Sequence, residues 1–536
     1  MKISYFCVAA TSLLAACGGD SANNLGTVDN SLIRGTLIQN PPPRTAFFSA
    51  GDFTEKLNAS ATGRDLLAIA GAPKCGVDVQ YITYATVGGV GEATTATGAL
   101  MTPSGGEGCT GNRPVVLYAH GTAFTKSYNL ANLRDESNAG YNEAILIAST
   151  YAAQGFIVVA PNYAGYDASS LGYHPYLNAD QQSKEMIDAL SAARKALPRL
   201  LQPVQDSGKL FIAGYSQGGH VAMATHRALQ AAGQAVTASA PMSGPYAIAA
   251  YVDAIFYGNV ALGSTIFAPL LINSYQKAYG NIYSKLTDIY EPAYASGIDT
   301  LLPTDISLST LTAPGGKLPQ TALFSSTPPT APAGSPAFLQ PTLNTISPPT
   351  TPVAQAPLFA LGFGASNLIT NQARLNYLLD AIANPDGAVP VATTGAQAAN
   401  PANPIRIATK KNDMRNWTPA RPVLLCAGSG DPIVFYDVNT PLMQAFWSSP
   451  SPAAAPAGLV TVLNVDSAPT GATDPYAAAK VGFSQAKTNT AAAAISAGAS
   501  DGGASAVAQV YHGSLVPPFC NIAARGFFQQ VLGAGL

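Results

Sequence analysis

The sequence predicts an α/β fold: a mostly parallel sheet flanked by helices and interrupted by one large insertion. Three observations carry this. Short apolar runs of the fully buried kind recur along the chain. Helical patterns fall between them, as the crossovers of parallel strands require. From 245 to 405 this rhythm stops, and it resumes at Arg421.

Residues 79–86 and 96–101 read as two early strands, antiparallel across a Gly/Thr-rich turn. The run 115–119 (Val-Val-Leu-Tyr-Ala) is a buried strand, as are 156–160, stopped by Pro161, and 210–214. Runs at 236–242, 422–427 and 459–465 complete the set. Helices are expected over 142–154, 179–197 and 216–232. The second is the clearest, with Met186, Ile187, Leu190, Ala193 and Leu197 on one face and Pro198 ending it.

The segment 245–405 opens apolar and Tyr-rich, turns dense in Pro, Thr, Ser and Ala over 303–357, and reads as helical again at 367–382. It is expected to form a cap or lid over the sheet; the alternative is an unrelated second domain. The organisation is then a signal (1–16), a tether (17–43), a first part of the core (44–244), the cap (245–405) and a second part of the core (406–536). A second, Ala-rich insertion lies at 467–508.

Lys2, the apolar stretch 3–14 and Ala15-Ala16 have the form of an export signal, too short to span a bilayer. Cys17 directly after the small pair predicts lipidation of its thiol and membrane association through that anchor. Gly18 carries no inner-membrane retention signal, which favours the outer membrane. Charged residues make up only 10% of the chain and the net charge is −2, so nothing favours nucleic acid. No protein partner is predicted. Four cysteines remain beyond the first 17 residues: Cys75, Cys109, Cys426 and Cys520. An even number in an exported chain predicts two disulfides, preferably Cys75–Cys109 and Cys426–Cys520. No CxxC or nearby His pair suggests zinc, and no metal or cofactor is expected.

Gly214-Tyr215-Ser216-Gln217-Gly218 follows a strand and opens a helix. That context marks Ser216 as an exposed nucleophile on a tight turn. The chain has five histidines, and in this arrangement the base comes last, after an acid. His512, expected on a late loop, is the only histidine that follows both Ser216 and a carboxylate at a strand end. His220 and His226 fall along the helix after Ser216 and are expected to pack. No Glu occurs after Glu291. The acid is therefore Asp431, just past the strand 422–427, with Asp437 and Asp466 as alternatives. A developing oxyanion needs two donors. One is the Gln217 N–H. The other is the N–H of Gly121 or Thr122, after strand 115–119. His120 is expected to hold that loop by hydrogen bonding.

These stretches resemble the secretory lipase family, the lipase-A-like enzymes and their bacterial relatives. The likeness is carried by VVLYAHGT (115–122), VVAPNYAGYDASSLGYHPYL (158–177) and FIAGYSQGGHVA (211–222), and more loosely by GSGDPIV (428–434) and YHGS (511–514). Where the family tends to carry Asp-Tyr-x-Gly, often with Glu at x, this chain has Asn162-Tyr163-Ala164-Gly165. The resemblance implies an α/β-hydrolase fold and hydrolysis of carboxylic esters, including acylglycerols, without a cofactor. The apolar cap suggests an apolar ester as substrate. Other readings are a polyester depolymerase or aromatic-ester esterase, a serine peptidase, and a non-catalytic binding lipoprotein.

Overall fold

A computed structural model describes residues 33–201, 203–353, 355–449 and 454–533. The signal, Cys17 and most of the tether lie outside the described residues.

The strands are β1 (Arg44–Phe48), β2 (Gly76–Val87), β3 (Ala93–Ser104), β4 (Gly111–Ala119), β5 (Ile157–Pro161), β6 (Val204–Tyr215), β7 (Ala238–Met242), β8 (Phe324–Ser325), β9 (Phe363–Gly364), β10 (Val423–Ala427) and β11 (Val460–Asn464). Nine form one sheet in the order β1-β2-β3-β5-β4-β6-β7-β10-β11. The pairs from β1 to β5 along this order are antiparallel, and every pair beyond is parallel. Helices Ala179–Ala196 and Gln217–Ala231 are two of the crossovers that keep β5, β6 and β7 parallel. The first begins where the Asn178 side chain accepts from the Gln181 N–H, and it ends just before Pro198. This is the α/β-hydrolase fold.

The central strands are buried on both faces. In β5 every residue is buried, and in β4 Val115 to Ala119 are all within 1% of full burial. That is the pattern of apolar runs rather than of alternation. Each expected strand is present. β1 is an additional one. Residues 35–38, within the stretch expected to be a tether, run along β2: Gly35 and Ile38 donate to the Ala85 and Thr83 carbonyls, and Leu37 bridges Tyr84.

Residues 245–405 build most of a second hydrophobic cluster, joined by Tyr176, Leu177, Ala408 and Phe435 from the flanking chain. Its long helices are Ile248–Phe256, Ser264–Tyr279 and Asn371–Ala383. Buried ion pairs tie it to residues 406–415. Arg406 lies between Asp253 and Asp380, each at 2.9 Å. Arg415 lies between Asp386 at 2.7 Å and Asp413 at 2.8 Å. Disulfides join Cys75 to Cys109 and Cys426 to Cys520. No helix among the described residues is long and apolar enough to cross a membrane.

Candidate active site

Ser216 stands between the end of β6 and helix Gln217–Ala231, with φ 60° and ψ −122°. A non-glycine residue held there costs about 1–3 kcal/mol, and such strain persists only where its surroundings enforce it. The enforcement is close packing. A Cβ at Gly214 would lie 2.1 Å from the Gly218 carbonyl oxygen, and one at Gly218 would lie 1.9 Å from that of Ala119. Only glycine allows strand and helix to meet this closely.

The Ser216 hydroxyl donates to His512 Nε2 at 2.7 Å, and His512 Nδ1–H donates to Asp431 Oδ2 at 2.6 Å. The three side chains are buried, with Ser216 9% exposed. The other Asp431 oxygen, Oδ1, accepts the N–H groups of Ile433 and Val434 at 2.9 and 3.0 Å. The acid is thereby pinned with its second oxygen aimed at the imidazole. His512 is not on a loop as expected. It lies in a π-helical turn, Tyr511–Leu515, that runs directly into helix Val516–Gly533. Such wide turns recur at functional sites because they re-aim a side chain without ending the helix. The Cys426–Cys520 bridge joins that helix to β10, the strand that leads to Asp431.

The alternative acids are elsewhere. Asp437 is exposed in the turn before helix Thr440–Ser448. Asp466 accepts from Tyr511 OH at 2.6 Å and pairs with Lys487. Tyr511 OH also accepts the Gly430 N–H at 2.9 Å, so the residue before the base braces the loop of the acid. Tyr215, the residue before the nucleophile, donates its OH to the His512 carbonyl at 2.6 Å.

The remaining histidines are buried and engaged. His120 sits between the Asn162 and Gly121 carbonyls, as expected for a loop-holding role. His220 meets the Asn412 carbonyl and His226 the Ser239 hydroxyl. Burial lowers both His220 and His226 to about 4, so they are neutral at neutral pH.

Of the two expected sources for the second oxyanion donor, Gly121 is set aside. Its N–H donates to Glu143 Oε1 at 3.1 Å, alongside Tyr118 OH at 2.8 Å, while Tyr128 OH reaches Oε2 at 2.7 Å. The Thr122 and Gln217 N–H groups have no hydrogen bond to the described residues. Gln217 is the first residue of its helix, where amides lack intrahelical partners. Sequence reasoning missed Glu143. The available signal was a lone charge in the otherwise uncharged helix Tyr141–Thr150.

Ser216, Gln217 and Thr122 open onto a cavity at the end of the sheet strands β4 and β6. Residues 245–405 supply most of its wall, including Ile248, Val252, Phe256, Leu271 and Ile369. None of the residues lining it is charged. Among the described residues, no cluster of three or more His, Cys, Asp or Glu could hold a metal ion.

A model of the prolyl oligopeptidase family matches residues 143–256, the stretch that contains the Ser216 turn. No curated protein matches the chain. Among solved structures, the rice cell wall degrading esterase LipA from Xanthomonas oryzae is 24% identical, with a TM-score of 0.62 over 94% of this chain and 99% of that one. A Legionella pneumophila protein is 18% identical, with a TM-score of 0.57 over 91% of this chain and 96% of that one. Lipase A from Candida antarctica is 12% identical, with a TM-score of 0.44 over 80% and 76%. The likenesses to the Xanthomonas and Legionella structures agree with the sheet order in one respect, the fold: the chain is an α/β-hydrolase in architecture.

Proposed function

We propose that this chain is a serine hydrolase of carboxylic esters with an apolar acyl group, a member of the secretory lipase family, exported and anchored by lipid on Cys17. The carrying observation is the chain of hydrogen bonds Ser216–His512–Asp431, at 2.7 and 2.6 Å, at the mouth of an uncharged cavity.

In this reading His512 Nε2 takes the proton as Ser216 Oγ attacks the ester carbonyl. The tetrahedral oxyanion is met by the N–H groups of Gln217 and Thr122. His512 then passes the proton to the departing alkoxide, and water repeats the sequence to release the acid. Asp431 keeps Nδ1 protonated and stabilises the imidazolium. The cavity wall favours an uncharged acyl chain, because a charged one would lose its hydration with no counterion to meet it. A peptidase is the second reading, favoured by the family match over 143–256.

The test is a p-nitrophenyl ester series from acetate to palmitate, with a peptide p-nitroanilide beside it. Wild type should cleave the esters well above the anilide. Ser216→Ala and His512→Ala should each lose about 10⁴-fold or more in kcat. Ester cleavage that survives Ser216→Ala overturns the assignment, and a preference for the anilide selects the peptidase. Release of soluble acid from a polyester film would point to a depolymerase.

A further inference from the structure

One buried group of side chains has no part in the chemistry above: the stretch 174–177, between β5 and helix Ala179–Ala196. His174 and Tyr176 are both at least 95% buried. His174 Nδ1 lies 2.9 Å from the Ala164 carbonyl, which only accepts, so Nδ1 carries the hydrogen. Burial lowers the pKa of this imidazole to about 3. The ring is therefore neutral and its Nε2 is a bare acceptor. The Gln217 amide nitrogen stands 2.7 Å from that atom and must donate to it, which fixes how the amide is turned. Two residues on, Tyr176 OH meets Thr122 Oγ1 at 2.9 Å.

Gln217 and Thr122 are the two residues whose main-chain N–H groups face the oxyanion in the proposed reaction. One three-residue stretch thus grips both of them by their side chains and leaves both N–H groups free. The stretch is itself held. His174 stacks on Tyr163, with ring centroids 5.5 Å apart and planes 15° apart. Leu177 bends the chain with φ 52°, and its carbonyl accepts from Tyr275 OH of the insertion at 3.3 Å.

We propose that His174 and Tyr176 are positioning residues that aim the two oxyanion donors, so that losing either contact lowers turnover and leaves ground-state binding intact. The proposal rests on the serine hydrolase reading. Its physical basis is the geometric demand of the transition state. Donors stabilise the oxyanion only within about 2.7–3.1 Å of where it forms, whereas the ground-state ester gains little from them. The substrate itself is bound chiefly by the apolar side chains of residues 245–405, none of which takes part in either hydrogen bond; Tyr176 also lines the cavity, and Tyr176→Phe leaves its ring there.

The experiment compares wild type, Tyr176→Phe, His174→Leu and His174→Gln. The Gln side chain keeps an acceptor where Nε2 stands. Tyr176→Phe removes one oxygen and keeps the ring, so it preserves the packing. Two rates are read: kcat and KM for p-nitrophenyl butyrate, and the second-order rate at which an alkyl fluorophosphonate labels Ser216. In that labelling Ser216 Oγ bonds to phosphorus, fluoride leaves, the proton goes to His512, and the phosphoryl oxygen takes the oxyanion position. Expected are losses of about 10-fold for Tyr176→Phe and about 100-fold for His174→Leu in both kcat and labelling. KM should stay within about twofold, and His174→Gln should recover most of the loss. The proposal is overturned if both contacts can be removed with rates within about threefold of wild type. It is equally overturned if the loss lies in KM alone, or if His174→Gln is no better than His174→Leu. A wild type that neither cleaves the ester nor takes the label overturns the hydrolase reading, and this proposal with it. That failure is read on wild type alone, before any variant.

Discussion

Asp431 and Asp466 meet neighbouring residues of one turn, His512 and Tyr511, yet their surroundings give them different partners. Asp431 uses one oxygen on two backbone amides and the other on His512. Asp466 answers to Tyr511 and Lys487. Replacing Asp431 by Asn should lower kcat about 10³- to 10⁴-fold without unfolding the chain, by turning His512 to the wrong tautomer. Asp466→Asn should cost no more than about tenfold, since it touches only the brace at Tyr511. Steady-state kinetics of the two variants decides this, and equal losses would remove the distinction. Ser216 and His512 could be read from the sequence because a nucleophile turn has a local signature and few histidines compete. The strand-end position of Asp431 ranked it above its rivals. Glu143, Tyr215 and Tyr511 were not picked out, because they act through hydrogen bonds to residues 15 or more positions away, and no spacing announces such pairs.

The helix Ala179–Ala196 was legible from its apolar face, but that face hides an acid. Glu185 is buried against Tyr84 OH at 3.2 Å and the Gln181 amide at 3.0 Å. Burial, far more than any neighbour, raises its pKa from 4.5 to about 8. The folded chain therefore keeps a proton that the unfolded chain releases above about pH 4.5. The fold loses stability as pH rises through that window, and the loss is complete above about pH 8. Glu185→Gln should flatten this slope. Thermal unfolding of the two proteins at pH 5 and pH 8 tests it, and parallel curves would show that Glu185 does not titrate in the folded chain. Strand positions were legible because buried parallel strands are short unbroken apolar runs. β1 was not, since Arg-Thr-Ala-Phe-Phe lies at the sheet edge with an exposure pattern no run betrays. The π-helical turn at His512 was hidden for a related reason: Tyr-His-Gly-Ser reads as a loop, and only the packing of Tyr511 and Leu515 on the core keeps it helical.

The Cys426–Cys520 bridge closes a loop of 94 residues that contains the acid, the base and the Ala-rich helix Ala477–Ser496. The paired Cys426→Ser and Cys520→Ser variant should lose about 4 kcal/mol of stability, and its kcat should fall at temperatures where the fold is still intact. The Cys75–Cys109 bridge closes only 34 residues away from the site, so its loss should cost less stability and leave kcat near wild type. Denaturant melts and kinetics on both pairs separate the two effects. The broad plan of sheet, interruption and return was legible because the insertion breaks the strand rhythm on both sides. Its internal order was not, since Arg374 is buried there against Ser347, and its Asp253, Asp380 and Asp386 pair with Arg406 and Arg415 of the segment that follows, at separations no local pattern announces. That separate core has an evolutionary consequence. Most of the cavity wall belongs to a cluster that shares few residues with the sheet carrying the triad. Descendants of this chain can drift in what they bind, by exchanging residues such as Ile248 or Leu271, while the hydrogen-bonded group of Ser216, His512 and Asp431 is inherited unchanged.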